Sequence, residues 1–243
     1  MRPRTTVRLT ENRKRKRQMR KYHVAEHFAS INGEGRKAGQ LAYFIRFKGC
    51  GLSCSYCDTA WAKEADAPSE ELTASKIYDT IKLSGINNVT LTGGEPLIQE
   101  GIKELIDLLL SDPLLSVEIE TSGSVSLSGF IPSDPDARRP QFTMDYKLPS
   151  SGMEIMMRTA NFDLLTYGDT VKFVAGNTED LERARDVIDM YSLKDRCSVY
   201  ISPVFGQIGP DEIVGFMKAN RMNDVNLQLQ MHKIIWDPEK RGV

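Results

Sequence analysis

Short apolar runs bounded by turn residues recur along the chain from residue 22 onward. Runs of this length that are rich in β-branched and aromatic side chains are typical of strands. Strands are therefore predicted at 22–30, 41–48, 88–94, 115–121, 141–147, 170–176, 196–201 and 225–229. A glycine-rich connection, INGEGRKAG, joins the first two strands.

Between these strands, apolar residues recur at the spacing of amphipathic helices. Helices are predicted at 73–83, 97–110, 178–191 and 210–219, with a short terminal helix around His232 and Trp236. Thr73 is the expected N-cap of the first helix. The side chains expected to face the core are Ile77 and Ile81, then Ile98, Ile102, Leu105 and Ile106, then Leu181, Ala184, Val187 and Ile188.

Strands that alternate with helices favour an α/β fold in which helices cover a parallel sheet. About six such units predict a partial, open β/α barrel of about six parallel strands rather than a complete eight-stranded one. Residues 22–243 are expected to form this single domain.

Polar and glycine-rich segments follow four of the predicted strands. They are the cysteine segment after YFIRFKG, GGEP after VTLT, TSGS after VEIE and PVFGQ after VYIS. Because the carboxyl ends of parallel strands share one rim of such a fold, these segments should meet and form its active-site face.

The composition is that of a globular protein, with 40% hydrophobic and 27% charged residues among 243. No apolar run approaches the ~20 residues of a membrane span. The N-terminus has no apolar stretch behind its basic residues, and clustered cysteines do not resemble a secreted disulfide framework. We therefore expect a cytoplasmic protein without a membrane partner.

The charge is unevenly distributed. Residues 1–21 carry ten Lys or Arg and one Glu, a net charge of +9, whereas the whole chain has a net charge of −1. This segment is expected to be a disordered basic extension. Contact with an acidic partner stays open, but the acidic remainder does not favour a nucleic-acid-binding protein.

Three of the four cysteines, Cys50, Cys54 and Cys57, lie in the segment FKGCGLSCSYCDTAW with the spacing C-x3-C-x2-C. A disulfide uses two thiols and a tetrahedral zinc site wants four ligands. Cys197 is predicted to be a small buried side chain, although His23, His27 or His232 could complete a zinc site. A four-iron cluster held by three thiolates, with one iron free, matches the spacing better.

This spacing, with Tyr56 before the last cysteine, resembles the signature of the radical S-adenosylmethionine (SAM) superfamily. The resemblance implies a [4Fe-4S] cluster whose open iron binds SAM. Cleavage of SAM then gives a 5′-deoxyadenosyl radical that takes hydrogen from the substrate. The segment GGEP, with Gly93, Gly94 and Glu95, resembles the superfamily's site for the methionine amine, and its glycines allow close backbone approach.

The flanking segments INGEG, FIRFKGC, CDT, ETSG and LQMHKIIWDPEKRGV together resemble the 7-carboxy-7-deazaguanine synthase family over residues 22–243. The resemblance implies a lyase of 7-deazapurine (queuosine precursor) biosynthesis. It converts 6-carboxy-5,6,7,8-tetrahydropterin into 7-carboxy-7-deazaguanine, with ring contraction and loss of ammonia, and Mg2+ assists. A flavodoxin or ferredoxin as electron donor and a homodimer are also implied.

The resemblance assigns substrate contacts to Asn32, Gly33, Glu34, Arg46 and Thr121. Arg46 lies on a strand that should be buried, so it needs an anionic partner, either the substrate carboxylate or a structural ion pair. Glu34 can accept two N–H bonds from the aminopyrimidine edge of a pterin. Asn32 stands where the family usually has Gln, and its shorter reach makes a backbone contact from this loop more important.

SAM contacts are assigned to the residues of several strand ends: Tyr56, Asp58, Gly93, Gly94, Glu95, Gly123, Asp145, Lys147 and Ser202. ETSG replaces the ETNG that is more usual in the family, and MDYK stands where Ser-Pro-Lys is common among its members.

Thr59 resembles the Mg2+ ligand of the family, and a single hydroxyl with substrate oxygens suits a cation that keeps several waters. His232 and Trp236 are expected to be packed structural residues.

Two other functions share part of this pattern. An activase that installs a glycyl radical on a partner protein would need the cysteines and GGEP but not Glu34, Arg46 or Thr59. A zinc-stabilised RNA-binding module would use the cysteines and the basic extension, but it leaves GGEP and the other strand ends without a purpose.

Overall fold

The computed structural model describes residues 20–238 and 240–243. The predicted basic extension of residues 1–21 therefore lies outside the described residues, except for Arg20 and Lys21. Arg20 binds Glu100 and Glu104, each at 3.1 Å, and Lys21 begins the first strand.

Nine strands form one sheet in the order β3-β1-β2-β4-β5-β6-β7-β8-β9. Their bounds are Lys21–Ile31 (β1), Leu41–Phe47 (β2), Glu70–Thr73 (β3), Asn88–Gly93 (β4), Ser116–Thr121 (β5), Gln141–Tyr146 (β6), Thr170–Ala175 (β7), Ser198–Pro203 (β8) and Val225–Leu227 (β9). Strands β2 and β4 to β9 pair in parallel, whereas β1 is antiparallel to both β2 and β3.

The sheet ends at β3 on one side and β9 on the other, so the predicted open β/α barrel is confirmed. It has seven parallel strands where the sequence indicates about six. The short strand β3 has no apolar alternation and was not predicted; it pairs with the edge of β1 that faces away from β2.

Within the described residues, five α-helices lie at or near the predicted positions. They are Ala74–Ser84 (α1), Ile102–Ser111 (α2), Thr178–Met190 (α3), Pro210–Ala219 (α4) and Met231–Ile235 (α5). Thr73 is the N-cap of α1 as predicted, and its hydroxyl accepts a hydrogen bond from the Lys76 amide at 3.2 Å. The predicted inward faces of α1 and α3 are buried, and so is Cys197.

The second helix begins later than the sequence predicts. A short 3-10 turn covers Pro96–Ile98, Gln99 is extended, and α2 starts after Gly101, whose φ is +72°. The Glu95 carboxylate accepts from the Leu97 amide and caps the start of the 3-10 turn, and the extended Gln99 separates that turn from α2. The prediction that Ile98 faces the core was therefore wrong, because this residue is 46% exposed.

The connection between β1 and β2, residues 32–40, crosses the interior of the barrel, and we call it the plug loop. Asn32 accepts from the Thr90 hydroxyl of β4 at 2.9 Å, and Glu34 binds Lys172 of β7 at 2.9 Å. Gly35 exchanges two hydrogen bonds with the Gln228 side chain beyond β9, at 2.7 and 3.1 Å. One loop thus fills the centre of an incomplete barrel and ties its two halves together.

Glu118 of β5 lies beside the plug loop and is 6% exposed. Its Oε1 accepts from the Thr143 hydroxyl at 2.6 Å, while Oε2 has no hydrogen-bond partner among the described residues. Burial raises the pKa of this carboxyl, and the Thr143 hydroxyl offsets only part of the effect. The folded protein therefore favours the protonated form more than the unfolded chain does.

Glu118→Gln should consequently stabilise the protein above neutral pH. A raised folded-state pKa gives stability that is present below the unfolded pKa and is lost as pH rises through the folded pKa. We expect urea unfolding at pH 8 to give the variant a free energy of unfolding about 1 kcal/mol above that of the parent. The two free energies should converge near pH 4.5. The exposed control Glu64→Gln should show no such pH dependence, and a destabilised Glu118→Gln protein at pH 8 would contradict the raised pKa.

Candidate active site

A cavity of about 340 Å³ opens at the carboxyl ends of the parallel strands. Its wall contains most of the residues that the sequence assigns to chemistry: Gly33, Glu34, Arg46, Cys50, Cys54, Tyr56, Cys57, Asp58, Thr59, Gly93, Gly94, Thr121, Asp145 and Lys147. The expectation that the polar strand ends meet at one face therefore agrees with the structure. Asn32, Glu95, Gly123 and Ser202 lie behind this wall rather than on it.

The cysteine segment is held by backbone contacts on both sides. The Ser55 amide donates to the Ser151 carbonyl at 3.1 Å, and the Tyr56 hydroxyl donates to the Val174 carbonyl of β7 at 3.0 Å. The Leu52 amide donates to the Cys50 sulfur at 3.4 Å. The three thiols therefore lie on a short loop that is held in place on both sides, and one backbone amide donates to the Cys50 sulfur.

The three thiols are free and partly exposed, and each one lines the cavity. Burial raises the pKa of both Cys50 and Cys54, and the Lys147 ammonium offsets part of this effect. Across the described ranges, no three Cys, His, Asp or Glu side chains converge on a point that one metal ion could occupy. The three thiols line one cavity, as the ligands of separate irons in a cube would.

Glycine is required at positions 93 and 94 because the backbone there lies very close to the backbone of Phe47 and Gly49. A Cβ at Gly93 would lie 2.3 Å from the Phe47 carbonyl oxygen, and one at Gly94 would lie 2.1 Å from the Gly49 carbonyl oxygen. The Gly94 and Glu95 amides donate to these same two carbonyls at 3.1 and 2.9 Å. The end of β4 is thus bonded directly to the backbone that leads into the cysteine segment.

The Glu95 carboxylate points away from the cavity and is 1% exposed. It accepts hydrogen bonds from the Thr121 hydroxyl and from the amide and hydroxyl of Ser122, at 2.5 to 3.0 Å. Glu95 therefore joins the ends of β4 and β5, and what GGEP presents to a ligand is its glycine backbone. Thr121 lines the cavity, but its hydroxyl is engaged by Glu95.

Arg46 forms an ion pair with Glu26, which stands directly across from it on β1 after an irregularity in the strand register. The Arg46 Nε donates to Glu26 Oε1 at 2.8 Å. No hydrogen bond from its two Nη groups is found within residues 20–238 and 240–243. Glu26 thus orients the guanidinium and leaves its outer donors available to an anion in the cavity.

Glu34, Lys172, Asp145 and Lys147 form a charged row along the cavity wall. Lys172 Nζ lies 2.9 Å from Glu34 Oε2 and 3.6 Å from Asp145 Oδ2, and Lys147 Nζ lies 2.8 Å from the same Asp145 oxygen. Lys172 and Asp145 are register partners on β7 and β6. The sequence did not single out Lys172, because a lone lysine in an apolar strand does not reveal which carboxylates will surround it.

Asp145 Oδ1 is buried and has no hydrogen-bond partner among the described residues. A buried acceptor without a donor at a cavity wall is suited to a hydroxyl of a bound ligand. The hydroxyl of Ser202, a residue that the resemblance assigns to SAM binding, donates to Glu34 Oε1 at 3.4 Å. Gly123, with φ +76°, turns the chain beyond β5 and packs against Met144.

The Thr59 hydroxyl donates to Asp58 at 3.0 Å, and Lys233 of α5 lies 3.9 Å from the other Asp58 oxygen. The Asp58 side chain is 55% exposed. Partial loss of solvent would raise its pKa, but Lys233 and the Thr59 hydroxyl outweigh this effect and the pKa falls. An ionised carboxylate beside a hydroxyl offers oxygen atoms of the kind that Mg2+ prefers.

The terminal segment contributes to the cavity more than the sequence indicates. His232 lines it next to Gly33, and burial lowers the pKa of the His232 imidazole. Arg241 lies over the Trp61 ring at 4.3 Å, and its neighbours form part of the wall.

Glu120 of β5 is a further residue that the sequence analysis did not identify. It lines the cavity, and burial raises its pKa. Acidic and basic side chains at a cavity rim have no periodicity by which a sequence could reveal them.

Comparison with known proteins agrees with this reading. Residues 44–133 match the profile of the radical SAM superfamily. The 7-carboxy-7-deazaguanine synthase of Clostridium acetobutylicum is 55% identical over 222 residues, which cover 91% of this chain and 99% of the relative. The enzyme of the same name from Chlorobaculum tepidum is 36% identical and is covered to 97%.

Among solved structures, QueE from Escherichia coli has a TM-score of 0.68 at 22% identity, covering 89% of this chain and 96% of that one, which shows the shared fold. An open β/α barrel with three cysteine thiols and a Gly-Gly turn at its rim defines a radical SAM enzyme, with a [4Fe-4S] cluster and SAM as its cofactors. Within that superfamily, the chain belongs to the 7-carboxy-7-deazaguanine synthase family, whose members are lyases.

No helix in the described part of the chain is both long enough and apolar enough to span a bilayer.

Gly94→Ala should prevent assembly of the site. The new methyl group would collide with the Gly49 backbone, and backbone atoms cannot move aside as a flexible side chain can. We expect a loss of more than about 2 kcal/mol in stability and less iron bound after anaerobic reconstitution. Gly215→Ala in α4 is the matched control, because a Cβ there meets open space and alanine favours helix. Full iron content in Gly94→Ala would show that the close approach is not needed.

Proposed function

We propose that this protein converts 6-carboxy-5,6,7,8-tetrahydropterin into 7-carboxy-7-deazaguanine, with ring contraction and loss of ammonia. The observation that carries the proposal is the shared cavity. Its wall contains the three thiols, the guanidinium of Arg46 and the carboxylate of Glu34, which can accept hydrogen bonds from a pterin. The name of the relatives that match nearly the whole chain supports the same substrate class.

Arg46 and Glu34 are proposed to recognise the two ends of the pterin. The outer guanidinium nitrogens of Arg46 can hold the 6-carboxylate in a bidentate contact, because Glu26 engages only Nε. Glu34 can accept from the aminopyrimidine edge while Lys172 holds its other side. Gly33 brings the plug-loop backbone to the cavity wall, and Asn32 supports that loop from behind through Thr90.

The remaining wall residues are proposed to bind SAM and Mg2+. Cys50, Cys54 and Cys57 would hold the cluster, which with SAM supplies the radical that removes hydrogen from the substrate. The backbone of Gly93 and Gly94 would receive the methionine part, and the free acceptor of Asp145 a ribose hydroxyl. Thr59 would contribute one oxygen to Mg2+, beside substrate oxygens and water.

The enzyme acts on a small molecule and requires a reductant. We propose that a flavodoxin or ferredoxin delivers the electron and that the active protein is a homodimer in the cytoplasm, as the family resemblance implies. A cavity of about 340 Å³ falls in the lower range of small-molecule sites. A small substrate fits it better than the loop of a partner protein, which a glycyl-radical activase would have to admit.

One anaerobic assay tests the proposed function. Protein with a reconstituted cluster is supplied with dithionite, SAM, Mg2+ and 6-carboxytetrahydropterin, and 5′-deoxyadenosine and 7-carboxy-7-deazaguanine are followed by mass spectrometry. We expect both products, with deazaguanine depending on Mg2+. Deoxyadenosine without deazaguanine would retain the radical chemistry and reject the substrate.

Arg46→Lys should weaken binding of the carboxylated pterin. A lysine cannot make a bidentate contact, so we expect KM for the substrate to rise about tenfold or more, the cost of a charged hydrogen bond. Arg196→Lys is the matched control, because Arg196 pairs with Asp163 on the exposed surface. Binding of a tetrahydropterin that lacks the carboxylate should not differ between Arg46→Lys and the parent. If KM is unchanged and only stability falls, the arginine is a structural ion-pair partner alone.

A further inference from the structure

Lys172 occupies an unusual position for a lysine, because it lies inside the barrel and is 9% exposed. Its ammonium group lies between a carboxylate of the plug loop and a carboxylate of β6, at 2.9 Å from Glu34 and 3.6 Å from Asp145. Asp145 in turn binds Lys147 at 2.8 Å. The four side chains form a continuous row from the plug loop to the carboxyl end of β6.

The charge of Lys172 is retained by its carboxylate partners. Burial alone would lower the pKa of the ammonium, but Glu34 and Asp145 outweigh burial and raise it. Glu120, also on the cavity wall, adds to their effect. A buried ammonium that is shared by two carboxylates cannot reorient toward one of them without weakening its contact to the other.

The two carboxylates serve different ligands under the proposed function. Glu34 is the proposed contact for the aminopyrimidine edge of the pterin, and Asp145 is the proposed contact for SAM. Lys172 is the side chain that touches both of them. On the basis of the proposed function, we propose that Lys172 is a positioning residue that couples binding of the pterin to binding of SAM.

The coupling follows from a shared contact. A pterin that binds Glu34 fixes that carboxylate and, through it, the Lys172 ammonium; the ammonium then fixes Asp145 in advance of SAM binding. The second ligand meets a row that is already ordered and therefore loses less conformational entropy on binding. Because coupling free energies are reciprocal, SAM must favour pterin binding by the same factor as the pterin favours SAM binding.

The test measures this factor directly and does not depend on turnover. Protein with a reconstituted, unreduced cluster is titrated with SAM by anaerobic calorimetry, with and without saturating 6-carboxytetrahydropterin. In the parent we expect the pterin to tighten SAM binding by about fivefold or more. In Lys172→Met the ratio should fall below about twofold, because the shared contact is lost. The reverse titration, pterin with and without SAM, should give the same ratios.

Conservative and matched variants separate positioning from simple structural support. Lys172→Arg keeps the charge and should restore most of the coupling, whereas Lys103→Met, which removes an exposed lysine paired with Asp107, should leave it unchanged. If Lys172→Met does not fold, Glu34→Gln removes the same ion pair from the other side and should also lower the ratio, measured at higher pterin concentration.

The outcomes distinguish this inference from the proposed function. A parent protein that forms deazaguanine but shows no coupling, or a folded Lys172→Met protein with the parent's ratio, would overturn the role of Lys172 and leave the reaction intact. A parent that forms no deazaguanine and binds no pterin would reject the proposed function itself, whatever the Lys172 variants show.

Discussion

The backbone contact between β2 and β4 is the constraint on which the site depends. Two glycines allow β4 to end against the carbonyls that precede Cys50, closer than any residue with a Cβ could approach. The Glu95 carboxylate then fixes this turn to the end of β5 through Thr121 and Ser122. Three strand ends become one rigid unit before any cofactor binds, as preorganised sites require.

Much of this arrangement could be predicted from the sequence because it is local. The cysteine spacing, the Gly-Gly turn and the alternation of strands and helices each lie within a few consecutive residues, and the parallel topology brings the strand ends together. The late start of α2 could not be predicted, since an extended Gln99 and a left-handed Gly101 interrupt the chain where the apolar spacing gives no sign of a break. The helical spacing of apolar residues in the sequence includes Ile98, although α2 begins only at Ile102.

The charged partners could not be predicted for a different reason. Glu26 meets Arg46 through an irregular strand register, and Lys172 meets Glu34 across 138 positions of sequence. Nothing in the local pattern of an apolar strand distinguishes a lysine that will pair with two buried carboxylates from one that reaches solvent. The sequence therefore indicates which residues can do chemistry, but not which residues hold them in place.

The plug loop has a consequence for how the chain folds. Gly35 makes its hydrogen bonds with Gln228, 193 positions later in the chain. A segment made early in synthesis must therefore wait until nearly the whole barrel has been made before it can dock. Contacts between such distant residues raise the contact order and slow the final folding step. Glu34, the carboxylate proposed to bind the pterin, lies in this loop, so the substrate-binding contact forms in the last step of folding.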